Sequence, residues 1–447
     1  MVTSQEYCIQ AEKHVPQLVT CGVMDHILKN IPIPVVFFYK KRINHDSLIN
    51  SLKKVLNDFP IFSGRLKTIN HALHIDCNNQ GVPFSITDDP ATLDWTLANL
   101  PKLNRSRFVT VINSRQWNSN RMPLMTVKLT NLACGAMVLG ICWHHSIGDM
   151  HTFMELMKAW SNTFNGKSYD LPLIVEKRDT YLEHNIEKNN NIAPGLRTID
   201  TCELLRILSY QVFRHENICE LQFYFSEDEL TAMKKELSME TDMWLSRNDV
   251  LCAHIFSLIS ELDSYQDERC LSILVNYRRG LKLPDNLLGN YISILKIMNI
   301  KREKSSQLAQ EIRSALTHFK QQYMDFYPRQ EYIAKKGGFR NTNKIMDLGI
   351  DPVRRTLLVT SWAKFGMYDI SFGDVRVFYF TPFGKVPLPW LSTITEGALM
   401  KGLIYSVSLP RTLANRLRQD SNLQRIHQYR PPNSVIPNAM EKLAWLL

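Results

Sequence analysis

No stretch of the chain stays apolar for long. The run Ile31–Tyr39, among the longest, is about half of what a membrane-spanning helix needs, so no span is expected. The first residues are polar, without the basic stretch and apolar core of a secretory signal, and none is expected either. The 9 cysteines (Cys8, Cys21, Cys77, Cys134, Cys142, Cys202, Cys219, Cys252 and Cys270) are odd in number and never form a C-x-x-C pair. That pattern argues against a zinc site or a disulfide framework and for reduced thiols in a cytoplasmic protein. The 18 glycines and 20 prolines are too few and too dispersed for a collagen-like or low-complexity chain. Neither a dinucleotide-binding glycine fingerprint nor a P-loop is present. No basic stripe interleaved with aromatics marks a nucleic-acid surface.

What is present is ordinary globular material. At 447 residues, 45% hydrophobic and 21% charged, the chain has length for two or three domains with real cores. The formal net charge of +10 attracts anions, and an anionic ligand weighs more here than nucleic acid.

Strands and helices alternate. Pro34–Tyr39 predicts a strand, and Asp46–Asp58 a helix with Leu48, Leu52, Val55 and Leu56 on one face. His74–Asp76 and Val82–Phe84 flank a turn and suggest a hairpin. Leu124–Leu129 and Met137–Trp143 read as neighbouring strands, followed by a helix over Met150–Phe164. Residues 166–215 lack a sustained period and read as a long crossover. Beyond it the pattern predicts strands at Glu220–Phe225, Leu271–Asn276, Thr356–Ser361 and Val375–Phe380. It predicts helices from Ser226 to about Leu237 and over Arg247–Leu262, Ser305–Tyr323 and Met440–Leu447. The fold class is α/β. The expected division is 1–170, a crossover at 171–215, and 216–447.

The chemistry concentrates in Gly140-Ile141-Cys142-Trp143-His144-His145-Ser146-Ile147-Gly148-Asp149. An apolar strand ends in two histidines, and Asp149 opens a helix. A histidine held at a strand end can present a ring nitrogen to a cleft and take a proton near neutral pH. Asp149 could order the turn or cap the helix. Taken alone, H-x-x-x-D also fits a buried histidine pair that only bonds backbone. A metal site built from His145, Asp149 and His151 has no recognised ligand pattern around it, and no metal is expected.

Other segments read in the same direction. Val35–Tyr39, Phe59-Pro60-Ile61-Phe62-Ser63-Gly64-Arg65-Leu66, Asp76–Phe84 and Pro123–Asp149 follow one another, then Val275-Asn276-Tyr277-Arg278, Gly289-Asn290, Thr360-Ser361-Trp362 and Tyr368–Val375. In that order and spacing they resemble the BAHD acyl-CoA acyltransferases almost end to end. The resemblance implies two chloramphenicol-acetyltransferase-like α/β domains with a channel at their interface. It implies transfer of an acyl group from acyl-CoA, a co-substrate and not a bound cofactor, to a small-molecule alcohol or amine. The reaction would use a ternary complex without an acyl-enzyme. By the same resemblance His145 is the general base, and Asp149 supports it through a structural ion pair with Arg278. Thr360 and Trp362 would position the acceptor or stabilise the oxyanion. The implied protein is a cytoplasmic monomer of secondary metabolism, with no nucleic-acid partner.

The chain departs from the family pattern at Ser371-Phe372-Gly373-Asp374-Val375, where an Asp, a Trp and a second Gly are replaced. Met150 stands where the family has Gly after H-x-x-x-D. The first departure bears on donor-side geometry and suggests a divergent branch, and the second implies a turn into the helix that is built differently. A condensation-type domain that takes carrier-protein thioesters is the alternative, followed by a non-catalytic relative. Lys335-Lys336-Gly337-Gly338 reads as a flexible basic loop and His254 as a core histidine. Arg411, Arg416, Arg418, Arg425 and Arg430 read as a solvated face.

Overall fold

The computed structural model describes residues 4–113, 121–189, 191–213, 217–265, 267–301, 303–322, 324–383 and 389–432. Two large hydrophobic cores form, each on its own sheet. The first sheet has seven strands in the spatial order Ser4–Ile9, Val82–Asp89, Met125–Leu132, Met137–His144, Pro32–Tyr39, Val375–Pro382 and Ser371–Phe372. The second has six, in the order Ile218–Phe225, Leu403–Pro410, Leu391–Glu396, Leu357–Ser361, Arg269–Asn276 and Ile292–Ile300.

The contiguous division at residue 216 needs correction. Val375–Pro382 lies far along the chain, yet it pairs antiparallel with Pro32–Tyr39 in the first sheet. The reason is apolar surface: Phe378, Tyr379 and Phe380 on successive positions are all buried, so this strand needs cover on both faces. It finds that cover in the first core, together with Met367, Ile370 and Phe372.

The expected hairpin around residues 78–81 is not formed. Ala72–Cys77 pairs with Gln17–Thr20 and Arg65–Ile69 in a small three-stranded sheet, whereas Val82–Asp89 joins the large one. Between them Gly81 adopts a φ of +90°, and its N–H donates to the Ser63 carbonyl. A left-handed glycine there swings the chain from one sheet to the other. The crossover is also more structured than its sequence suggests. It holds helices Arg178–Glu183 and Thr201–Phe213 and a short strand Leu196–Thr198 paired with Ile345–Asp347. The helix from Ser305 ends at Thr317 and resumes as Phe319–Gln322; Tyr323 and the expected helix Met440–Leu447 lie outside the described residues. Arg430 does not belong to a solvated face, because it bonds the buried Glu229 and the Tyr224 carbonyl.

The strand Met137–His144 lies in the middle of the first sheet, and every residue in it is buried. Gly140 is required by close approach: a Cβ there would sit 1.7 Å from the Phe108 carbonyl oxygen. This rigid, doubly covered strand delivers the chain to the histidine turn.

Candidate active site

The turn His145–Ile147 follows the strand directly and leads through Gly148 into the helix Met150–Phe164. Trp143 fixes the turn from inside. Its ring stacks on Phe153 at 4.0 Å, and its indole N–H donates to the Gly148 carbonyl at 3.1 Å. Met150 opens the helix as a buried core residue, and the Asp149 carboxylate caps it by accepting the Thr152 N–H at 3.0 Å.

The two histidines have different surroundings. His144 is fully buried, and its Nδ1 accepts the Ser146 N–H at 3.3 Å. Burial first, and His145 beside it, pull its pKa down to about 4. His145 is half-buried. Its N–H donates to the Ile31 carbonyl, and its ring Nδ1 lies 3.1 Å from the Asn290 Oδ1. Burial also lowers the His145 pKa, so the neutral ring is favoured.

Asn290 fixes the tautomer. Its amide nitrogen donates to the Asp25 carboxylate and to the His145 carbonyl, both at 2.7 Å. The amide oxygen is therefore the atom facing the ring, so Nδ1 carries the hydrogen. Nε2 keeps its lone pair, which is the arrangement a general base requires.

A second shell of charge holds this unit. Asp25 pairs with Arg178 at 2.9 Å, both almost fully buried. Arg178 donates to the carbonyls of Ser146 and Ile147, and the Ser146 hydroxyl donates to the Asp25 carbonyl. Asp149 accepts from Arg278 through both oxygens, at 2.7 and 3.2 Å, and from the Tyr291 N–H at 3.1 Å. Burial raises the Asp149 carboxyl, but Arg278 outweighs it and holds the group below the ordinary carboxylate range. Arg278 also donates to the carbonyls of Leu287 and Gly289 and lies over the Tyr291 ring. Its segment thereby locks the second half onto the histidine turn. A cavity of about 30 Å³ behind this network, bounded by Asp25, Arg178, Asn290 and Tyr291, has room for water and not for a substrate.

Sequence reading singled out His145, Asp149 and Arg278, and the structure brings all three together. It passed over Asp25 and Arg178 and used Asn290 only as part of a Gly-Asn pair. Isolated charged residues in aperiodic segments give no pattern, so only contacts reveal them.

The sequence pattern of the Transferase family matches residues 1–385. The chain belongs to this family, the BAHD acyltransferases. A limonoid 1-O-acetyltransferase of Citrus sinensis is 21% identical over 439 residues, spanning 90% of this chain and 92% of its own. Among solved structures, vinorine synthase has a TM-score of 0.69 at 20% identity, covering 93% of this chain and 96% of its own. F. graminearum TRI101 complexed with ethyl coenzyme A has a TM-score of 0.71 at 14% identity, covering 92% and 99%. These structures share the two-domain α/β fold with this chain.

The remaining positions singled out in the sequence belong to other elements of this BAHD chain. Thr360 and Trp362 are half-buried at the end of the strand Leu357–Ser361 and just beyond it. Trp362 packs on the first core, with its ring 6.3 Å from Phe380. Among the described residues, neither bonds to His145. The altered segment Ser371–Val375 is tied to the helix Met150–Phe164. Ser371 exchanges hydrogen bonds with the Ser161 hydroxyl, and Phe372 packs edge-on against Trp160 and Phe164. Asp374 is exposed and paired with Lys41. Among the described residues no helix is long and apolar enough to cross a membrane.

Proposed function

We propose that the protein transfers an acyl group from acyl-CoA to a hydroxyl or amine of a small molecule, with His145 as the general base. The observation that carries this reading is the hydrogen bond from His145 Nδ1 to Asn290, which leaves Nε2 unprotonated. Nε2 takes the proton of the acceptor as its oxygen or nitrogen attacks the thioester carbonyl. The tetrahedral intermediate then expels the CoA thiolate, which recovers the proton from Nε2 to leave as the thiol. No acyl-enzyme forms. Thr360 and Trp362 position the acceptor or stabilise the oxyanion, and Asp149 acts only by holding the turn through Arg278.

Family membership supports the acyl transfer, and the complex of TRI101 with ethyl coenzyme A supports CoA as the carrier. The names of a limonoid 1-O-acetyltransferase and of a stemmadenine O-acetyltransferase from Catharanthus roseus favour a hydroxyl acceptor. The altered Ser371–Val375 segment keeps its packing role against the helix, which weighs against loss of function there. The test is binding of CoA, followed by release of CoA thiol from acyl-CoAs offered with an alcohol and amine library. Absence of CoA binding would remove the reading.

A further inference from the structure

The second sheet has two unlike faces. Along Leu403–Pro410, Tyr405, Val407 and Leu409 enter the second core, while Ile404 enters the first. Ser406 and Ser408 alternate with Ile404 and so point toward the first half. On Leu391–Glu396, Ile394 enters the second core, which turns Thr393 the other way. On Ile218–Phe225, Leu221, Phe223 and Phe225 enter the second core and Tyr224 the first, so Gln222 shares the Tyr224 face. On Leu357–Ser361, Leu357 and Val359 enter the second core and Thr360 faces the first half.

The register puts these groups in line. Thr360 stands opposite Thr393, Thr393 opposite Ser406, and Ser406 opposite Gln222. With strands about 4.8 Å apart, the row spans roughly 14 Å. Trp362, Ile404 and Tyr224 form an apolar margin along one side. Among the described residues, the hydroxyls of Thr360, Thr393, Ser406 and Ser408 have no hydrogen-bond partner. Ser406 and Ser408 are only 7% and 6% exposed, yet their hydroxyl oxygens are not sealed from solvent. Thr360, Thr393 and Gln222 are half-exposed, so solvent reaches the row. A wet polar row between two cores, with its hydroxyls unbonded and Gln222 held only by a long 3.5 Å bond to Glu220, suits a ligand that carries its own hydrogen-bonding groups.

We propose that this row is the acceptor subsite and that it selects a rigid, polyoxygenated acceptor over a hydrocarbon alcohol. Oxygens spaced by roughly 5 Å along a polycyclic skeleton match the strand spacing. The proposal rests on the acyl-transfer reading and deepens it. The row starts at Thr360, beside Trp362. At its far end the exposed Glu220, opposite Ser408, lies within electrostatic reach of Arg105 of the first half. There the Glu220 carboxylate offsets the Arg105 charge and would repel the phosphates of CoA, which favours acceptor over donor.

The test is equilibrium dialysis of cortisol, rich in oxygens, and androstanol, with a single hydroxyl, against the full chain. Thr393→Val and Ser406→Ala are made singly and together. Neither breaks a protein hydrogen bond, and unchanged melting temperatures show that the variants fold. The wild type is expected to bind cortisol roughly tenfold more tightly than androstanol, the worth of about two hydrogen bonds. The double variant should lose that preference and keep its CoA affinity. Equal binding of the two steroids by the wild type, or a preference that survives both substitutions, overturns the proposal. Weakened CoA binding in the double variant overturns it as well, by giving the row to the donor. Failure of the wild type to bind CoA instead overturns the acyl-transfer reading, and the steroid arm still decides whether the row reads oxygens.

Discussion

The guanidinium of Arg278 grips both carboxylate oxygens of Asp149 across 129 residues of chain. The pair is almost wholly buried, at 1% and 4% side-chain exposure, and joins the cap of the helix after the histidine turn to the other half of the molecule. Removing one partner strands the other charge inside the protein. Asp149→Ala should therefore cost about 3–5 kcal/mol of stability, as should Arg278→Ala. Denaturant unfolding measures it, and a change within error in both variants would show that the pair holds nothing.

Asn290 presents a different kind of support, since it sets which ring nitrogen of His145 carries the proton. Asn290→Ala should lower kcat while leaving CoA affinity unchanged. The loss should be smaller than the roughly hundred- to ten-thousandfold expected for removing the base itself. Asn290→Asp places a carboxylate beside Nδ1, favours the imidazolium and should move the acid limb of the rate profile to higher pH. An acid limb that stays in place in Asn290→Asp would refute the assignment of the tautomer to this side chain.

The rate and stability profiles follow from buried neutral histidines. Burial lowers the His145 pKa, so the acid limb of kcat/KM should lie below about pH 6.5. Burial likewise brings His26 to about 3 and His144 and His254 to about 4. Their folded values lie below the unfolded value of about 6.5, so between the two the unfolded chain binds more protons. Stability is then full above about pH 6.5 and declines as pH falls toward about 4. Melting temperatures taken across that window check the sign, and a flat profile would contradict it.

Much of this was legible in the sequence, for identifiable reasons. Met137–Trp143 and Met150–Phe164 carry strong apolar patterns, and local pattern is enough to specify a buried strand and an amphipathic helix. His145, Asp149 and Arg278 stood out because they fall in motif segments. The placement of Val375–Pro382 in the first sheet was not legible, because a strand buried on both faces shows no preference for either core. The break in pairing at Gly81 was hidden in the same way, since hairpins and sheet-to-sheet crossings use the same turn residues. Asp25 and Arg178 are lone charges whose meaning depends on each other, and nothing local announces that they meet.

The central claim is that His145, and not His144, is the base. His144 is sealed in the fold, and its ring accepts a backbone N–H, so His144→Ala should lower the melting temperature and largely spare the rate of the folded enzyme. His145 holds an unprotonated Nε2 at a half-exposed position. The most direct measurement is CoA-thiol release by the wild type, His144→Ala and His145→Ala with one acyl-CoA and one accepted alcohol, alongside CoA affinity. The account predicts that His145→Ala loses roughly a hundred- to ten-thousandfold in rate with CoA affinity unchanged, while folded His144→Ala stays near the wild type. Equal losses in the two variants, or an unimpaired His145→Ala, would contradict it.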